Sequence, residues 1–225
     1  MSPSVANGLT VVLNPGHNGD DYAHPDEVNR LVPSGYGNEK ACDTTGTNTT
    51  AGYPEHAFNW DVASRVRRIL TSAGVQVIMT RNSDSGVGPC VNQRAAIGNR
   101  PGVDAVVSIH ADGAPVSGHG FHVNQDSRRP DGATAAVAHE SIELGRAIHA
   151  TLARSSGLVP STYIGTNGYY YRDDLAGLNL ARRPTTFLEL GNMKNPGDAA
   201  LQSSPAGRQR IAAAVAAGIL AFLGR

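Results

Sequence analysis

The chain reads as a single α/β domain: a mostly parallel, twisted sheet of about five to six strands with helices on both faces. Three observations predict this. Short Val-, Ile-, Leu- and Thr-rich runs (LTVVL, VQVIMT, DAVVSIH, TTFLEL) have the length and composition of buried strands. Amphipathic stretches of helical period alternate with them, the signature of βα units. The length, 225 residues with 40% hydrophobic content, supports one sizeable core and is short for two.

In order along the chain, residues 1–8 read as an N-terminal extension and 9–225 as the domain. The first strand is expected at 9–13. Residues 18–54, dense in Gly, Asn, Asp, Thr and Pro, read as a long loop insertion. A loop of that length in a compact domain is usually functional. A helix follows over 55–73, with Phe58, Val62, Val66, Ile69 and Leu70 on one face and Gly74 as its stop. Strand 75–80, a short helix over 91–99, strand 104–110 and a short strand at 120–123 come next. Residues 133–154 form a second long helix on a stripe of Val137, Leu144, Ile148 and Leu152. Residues 157–183 read as irregular. TTFLEL is the last strand, and 205–223 the last helix, burying Ile211, Val215, Ile219 and Phe222.

Charge narrows the partners. Lysine plus arginine and aspartate plus glutamate each number 19, so no net field draws the chain to nucleic acid. The most apolar segment, IAAAVAAGILAFL, is too short to span a bilayer. MSPSVANG lacks the basic and apolar regions of a signal peptide, so an exported protein would be represented here in its mature form. Cys42 and Cys90 are either two unrelated buried thiols or one disulfide. Both lie in Gly- and Asn/Thr- or Pro-rich stretches that belong at the surface, which favours a bridge and an extracytoplasmic, oxidising location.

Three of the apolar runs end on chemistry: LTVVLNPGH on His17, DAVVSIH on His110 and TTFLEL with Glu189. In open α/β sheets ligands gather outside the carboxyl ends of the strands. Two imidazoles delivered there suggest a zinc site, and a catalytic zinc needs a third protein ligand. Glu55, opening a helix with its side chain on the inward face, is the candidate; a carboxylate there could equally serve the helix dipole. His17 and His110, taken singly, could be structural. Glu189, among Phe187, Leu188 and Leu190, is either salt-bridged to Arg182 or Arg183, or a general base whose surroundings raise its pKa. His24 and Glu27 have the spacing of some zinc carboxypeptidases but lie in the polar stretch. His56 points a quarter-turn away from Glu55. His119 and His122 point to opposite faces of a strand, a poor geometry for chelating one ion. His139 and His149 fall off their helix's apolar stripe and are expected in solvent.

These residues, in this order, resemble the zinc-dependent N-acetylmuramoyl-L-alanine amidases of the amidase 3 type, particularly the short mycobacterial-type cell-wall members. The resemblance is carried by Asn14-Pro15-Gly16-His17-Asn18-Gly19, Glu55 at a helix start, Met79-Thr80-Arg81, Arg94 in VNQRAAIGN, Ser108-Ile109-His110-Ala111-Asp112 and Phe187-Leu188-Glu189-Leu190-Gly191. It spans residues 9–223. It implies that His17, Glu55 and His110 bind Zn2+ and that Glu189 is the catalytic carboxylate. It also implies cleavage of the amide between N-acetylmuramic acid and L-alanine in peptidoglycan, in the periplasm or cell wall, by a monomer. Arg94 is then a candidate for holding a substrate carboxylate or the structure of the site. Asp112 replaces the family's usual Asn, and Gly191-Asn192-Met193 lacks its usual Phe. Two other functions stand as alternatives: a zinc carboxypeptidase on stem peptides, through His24 and Glu27, and a non-catalytic peptidoglycan-binding module that has kept the fold.

Overall fold

The computed structural model describes residues 8–224, so most of the extension predicted for 1–8 lies outside the described residues. Its sheet has six strands in the order β4-β1-β5-β8-β6-β7. These are β1 (Thr10–Pro15), β4 (Gln76–Met79), β5 (Ala105–Asp112), β6 (His122–Asp126), β7 (Tyr169–Arg172) and β8 (Thr185–Asn192). The first four in sheet order run parallel; β6 pairs antiparallel to β8, and β7 follows β6 in parallel.

Alternation along the strands builds two layers. Val11, Leu13, Val107, Ile109, Leu188 and Leu190 enter the main core. There they meet α2 (Glu55–Ser72), α4 (Ala135–Ser155) and α7 (Pro205–Phe222). The intervening residues face the other way. Val12 and Val106 pack with Val103, Ile78 and Ile97 beneath α3 (Val91–Gly98). Ser108, His110, Phe187 and Glu189 share that second face, as period-two geometry requires. The helix after β1 thus covers one face and the helix after β4 the other. The chain diverges between the carboxyl ends of β1 and β5, the switch point where doubly wound sheets place ligands.

The stretch 18–54 is not the unstructured insertion its composition predicts. It holds a short 3-10 turn (Asp21–Ala23), α1 (Pro25–Val28) and an antiparallel hairpin, β2 (Leu31–Gly35) with β3 (Asn38–Ala41). Composition hid the hairpin because its stability is tertiary. Leu31 is exposed, and Val32 is buried against Cys42, Cys90 and Val91. The two-residue turn puts Tyr36 at φ 55° and Gly37 at φ 77°. A tyrosine in that left-handed conformation is uncommon. It is held by Asp131, which accepts its N–H, and by Asp126, which accepts its hydroxyl at 2.6 Å.

Residues 157–183 likewise contain β7 and α5 (Ala176–Asn179), and α6 (Pro196–Ser203) has no counterpart in the expected elements. The strand expected at 120–123 starts two residues later, because Gly120 sits at φ 95°. His149 is half-buried rather than solvated: its ring stacks on Tyr169 at 4.2 Å and contacts the Asn167 carbonyl at 2.7 Å.

Cys42 and Cys90 are bridged across 48 positions, tying the hairpin's end to the start of α3. A loop of that size restricts the unfolded chain by about 4 kcal/mol. The Cys42→Ser/Cys90→Ser double variant is therefore expected to lose about that much stability in urea titrations. An unchanged midpoint would show that the bridge contributes nothing net.

Candidate metal centre

Each candidate ligand is placed by a different element. His17 follows β1 at φ 57°, a strained conformation for a non-glycine residue that turns its ring back over the sheet edge. His110 lies near the end of β5. Glu55 is the first residue of α2, so a helix from the opposite face delivers a carboxylate over the carboxyl edge of the sheet. Their donor atoms all lie within 4.8 Å of one another, and Glu55 Oε1 is 3.2 Å from His17 Nε2 and 3.1 Å from His110 Nδ1. Close glycines permit this. A Cβ on Gly16 would fall 1.9 Å from the His110 ring, and one on Gly46 2.7 Å from both Glu55 and His17.

Surrounding groups fix the ligands' orientation. His17 Nδ1 points at the Thr44 carbonyl (2.6 Å) and Asp43 Oδ1 (3.1 Å), which leaves Nε2 directed at Glu55. Glu55 accepts from Thr47 N–H, Ala111 N–H and the Asn59 amide. Partners of this kind set the tautomer and basicity of metal ligands.

Of the two roles open to Arg94, the contacts it makes belong to the structure of the site. The residue is buried, and Nε donates to the Pro89 carbonyl, Nη1 to Asn14 and the Pro15 carbonyl, and Nη2 to the His17 carbonyl and Asp43. A guanidinium has five N–H groups, and these contacts engage them. Arg94 therefore holds the turn carrying His17 and the carboxylate that orients its ring. Arg81 does the same from the other side, donating to the Pro15 and His56 carbonyls and pairing with Asp84.

The charges respond to this crowding. Burial disfavours an ionised Glu55, but His17 and His110 outweigh it and hold Glu55 well below the usual carboxylate range. Burial alone would lower His17; Glu55 and Asp43 instead raise it well above the ordinary imidazole value. For His110 burial prevails and lowers it. Two imidazoles and one carboxylate with donor atoms this close are a set that could hold a metal ion, and they are of the types that bind catalytic zinc.

Glu189 stands beside this trio, register partner of His110 across β5 and β8. It makes no salt bridge to Arg182 or Arg183 among the described residues, and its Oε2 is shut from solvent without a hydrogen-bond partner. Burial, then the charges of Glu55 and Asp112, push its carboxyl well above the usual range. Glu189, His17, Glu55 and His110 border one cleft of about 430 Å³, walled further by Lys40 and Arg172.

The decoys fall elsewhere. His24 and Glu27 are exposed on the short turn and α1. His56 turns away from the cleft onto Asp84 at 2.9 Å. Asp112 accepts from the Tyr163 hydroxyl at 2.9 Å, and Asn192 is buried, donating to the Pro115 and Gly118 carbonyls. Asp43, in a polar stretch, carries no signal in the sequence, and Asn59 reads there only as an inward-facing residue of the helix that Glu55 opens.

A family model for N-acetylmuramoyl-L-alanine amidases matches residues 11–221. The N-acetylmuramoyl-L-alanine amidase Rv3717 of Mycobacterium tuberculosis is 44% identical over 222 residues, covering 99% of this chain and 89% of that protein. Among solved structures, the amidase Ami1 of Mycobacterium smegmatis superposes with a TM-score of 0.91 at 47% identity, covering 98% of this chain and 99% of the other. The apo form of Ami1 from Mycobacterium abscessus gives 0.89 at 49%, covering 96% and 99%.

Proposed function

The chain belongs to the N-acetylmuramoyl-L-alanine amidase family, and from that premise we propose that it hydrolyses the amide between N-acetylmuramic acid and L-alanine in peptidoglycan or its fragments, with zinc held by His17, Glu55 and His110. The observation that carries this reading is the convergence of those three donors, within 4.8 Å, beside an unpaired carboxylate in one open cleft. Zinc held by His17, Glu55 and His110 would supply Lewis acidity for amide hydrolysis.

The protein's own groups supply the rest. Glu189 takes the proton of the attacking water and passes it to the departing alanine nitrogen, so one carboxyl serves as base and then as acid. Asp43 and Thr44 hold the His17 ring, and Arg94 holds Asp43, so the site needs little reorganisation during turnover. The disulfide supports an extracytoplasmic setting, periplasm or cell wall, for this activity. Among the described residues no helix is long and apolar enough to cross a membrane. We propose action as a monomer on the wall or on released muropeptides.

Incubation of the zinc-loaded protein with muramyl dipeptide, followed by mass spectrometry, tests the reading. The expected products are N-acetylmuramic acid and intact dipeptide. Release of the C-terminal residue alone would replace it with a carboxypeptidase, and an untouched substrate would leave a binding module.

A further inference from the structure

Among the described residues, His122 is the one buried histidine outside the candidate metal trio that the chemistry above leaves unused. It opens β6 and is 2% exposed. In the antiparallel β6–β8 pairing it lies directly opposite Glu189, which on its other side lies opposite His110. Opposed residues put their side chains on the same face, with Cβ atoms about 4.5–5.5 Å apart. A row of His110, Glu189 and His122 therefore crosses three neighbouring strands on the face that bears the cleft.

Two atoms in this row are left over. His122 Nδ1 and Glu189 Oε2 are both sealed from solvent, and neither has a hydrogen-bond partner among the described residues. Buried polar atoms are rarely left so, because each costs the energy of its lost hydration. The alternatives near His122 are already committed. Asp112 accepts from Tyr163 and from the Gly113 N–H, and Arg172 is paired with Asp174 through two nitrogens at 2.6 Å. The rings of Tyr163 and Tyr170, 6.0 and 6.2 Å away edge to face, wall the imidazole in without giving it a polar partner. Burial pushes the ring's pKa down to about 4, so around neutral pH it carries a single N–H.

Resting on the amidase reading, we propose that His122 is the positioning residue for Glu189: its ring N–H donates to the inner oxygen, Oε2, and so aims the outer oxygen at the cleft. Side-chain rotation alone keeps both residues on the same sheet face, since their register pairing is backbone-fixed. The hydrogen bond would fix one carboxylate rotamer, and it would favour the ionised carboxylate that a base requires. His122 touches neither substrate nor metal in this arrangement.

Kinetics on muramyl dipeptide separate this role from a structural one. His122→Phe keeps the ring volume and removes both nitrogens; His122→Asn returns an amide N–H near the position of Nδ1. The Phe variant is expected to lose roughly 10- to 100-fold in kcat, the effect of one hydrogen bond to a charged group. Its KM should stay within about twofold of the parent, since ground-state binding is untouched. Zinc content should be unchanged, and the Asn variant should recover most of kcat. Wild-type kcat in the Phe variant, a loss confined to KM, or equal losses in both variants would each overturn the proposal. Inactivity of the unsubstituted protein would instead remove the amidase reading, and this role with it.

Discussion

Glu189→Gln is expected to lower kcat on muramyl dipeptide by roughly 10³- to 10⁴-fold while zinc stays bound at full stoichiometry. The amide is isosteric with the carboxyl but accepts no proton at neutral pH, so both the water-activating and the amine-protonating steps lose their group. The zinc survives because Glu189 is not among the donors that converge on one another. Stability should move the other way. In the metal-free fold Glu189 has its pKa raised well above the ordinary value by burial and by Glu55 and Asp112. A carboxyl so raised favours folding when protonated, and that advantage is lost as pH rises from the unfolded pKa toward the folded one. The Gln variant, uncharged throughout, should thus melt no lower than the parent at pH 7, with its relative advantage shrinking toward pH 4.5. Turnover within tenfold of the parent, read from initial rates, would remove Glu189 from the chemistry.

His17→Ala is expected to lose the metal. Removing a partner that merely orients a ligand typically costs 10- to 100-fold in affinity, so deleting the ligand itself should cost more than about 100-fold. Zinc should then dialyse away against a mild chelator under conditions where the parent keeps it. The fold should persist, because Asp43 remains paired with Arg94 at 3.1 Å after the imidazole is gone. His56→Ala provides the contrast: that ring is turned onto Asp84, so metal content should be unaffected. Full zinc stoichiometry in the His17→Ala protein, measured by atomic emission, would exclude His17 as a ligand.

Much of this was legible in the sequence, for identifiable reasons. His17, His110 and Glu189 end apolar runs, and a strand's period of two makes such ends readable without coordinates. Glu55 was legible because a helix start has its own signature and the inward face follows from Phe58 and Val62. Arg94 was visible as a motif with two open roles, a substrate carboxylate or the structure of the site. An arginine's function depends on whether its donors are spent inside the protein, and here they meet carbonyls of Pro15, His17 and Pro89 that only the folded backbone brings together. The hairpin within 18–54 escaped notice because its strands are short, and because its turn puts a tyrosine where sequence rules expect Asn or Gly.

The main strands and long helices and the helices on both faces of the sheet were set by local pattern, hydrophobic period and turn residues, while the three candidate donors and the carboxylate were candidates by residue type and position, and their roles came from the family resemblance. Tertiary structure alone decided which of those side chains meet. Hydrogen-bond register places Glu189 between His110 and His122, and a left-handed turn at His17 aims one ring nitrogen inward. A disulfide fastens a polar segment beside the cleft, with Asp43, the residue after Cys42, against the His17 ring. These depend on contacts between residues 26 to 79 positions apart, and periodicity within one segment carries no information about its distant partners.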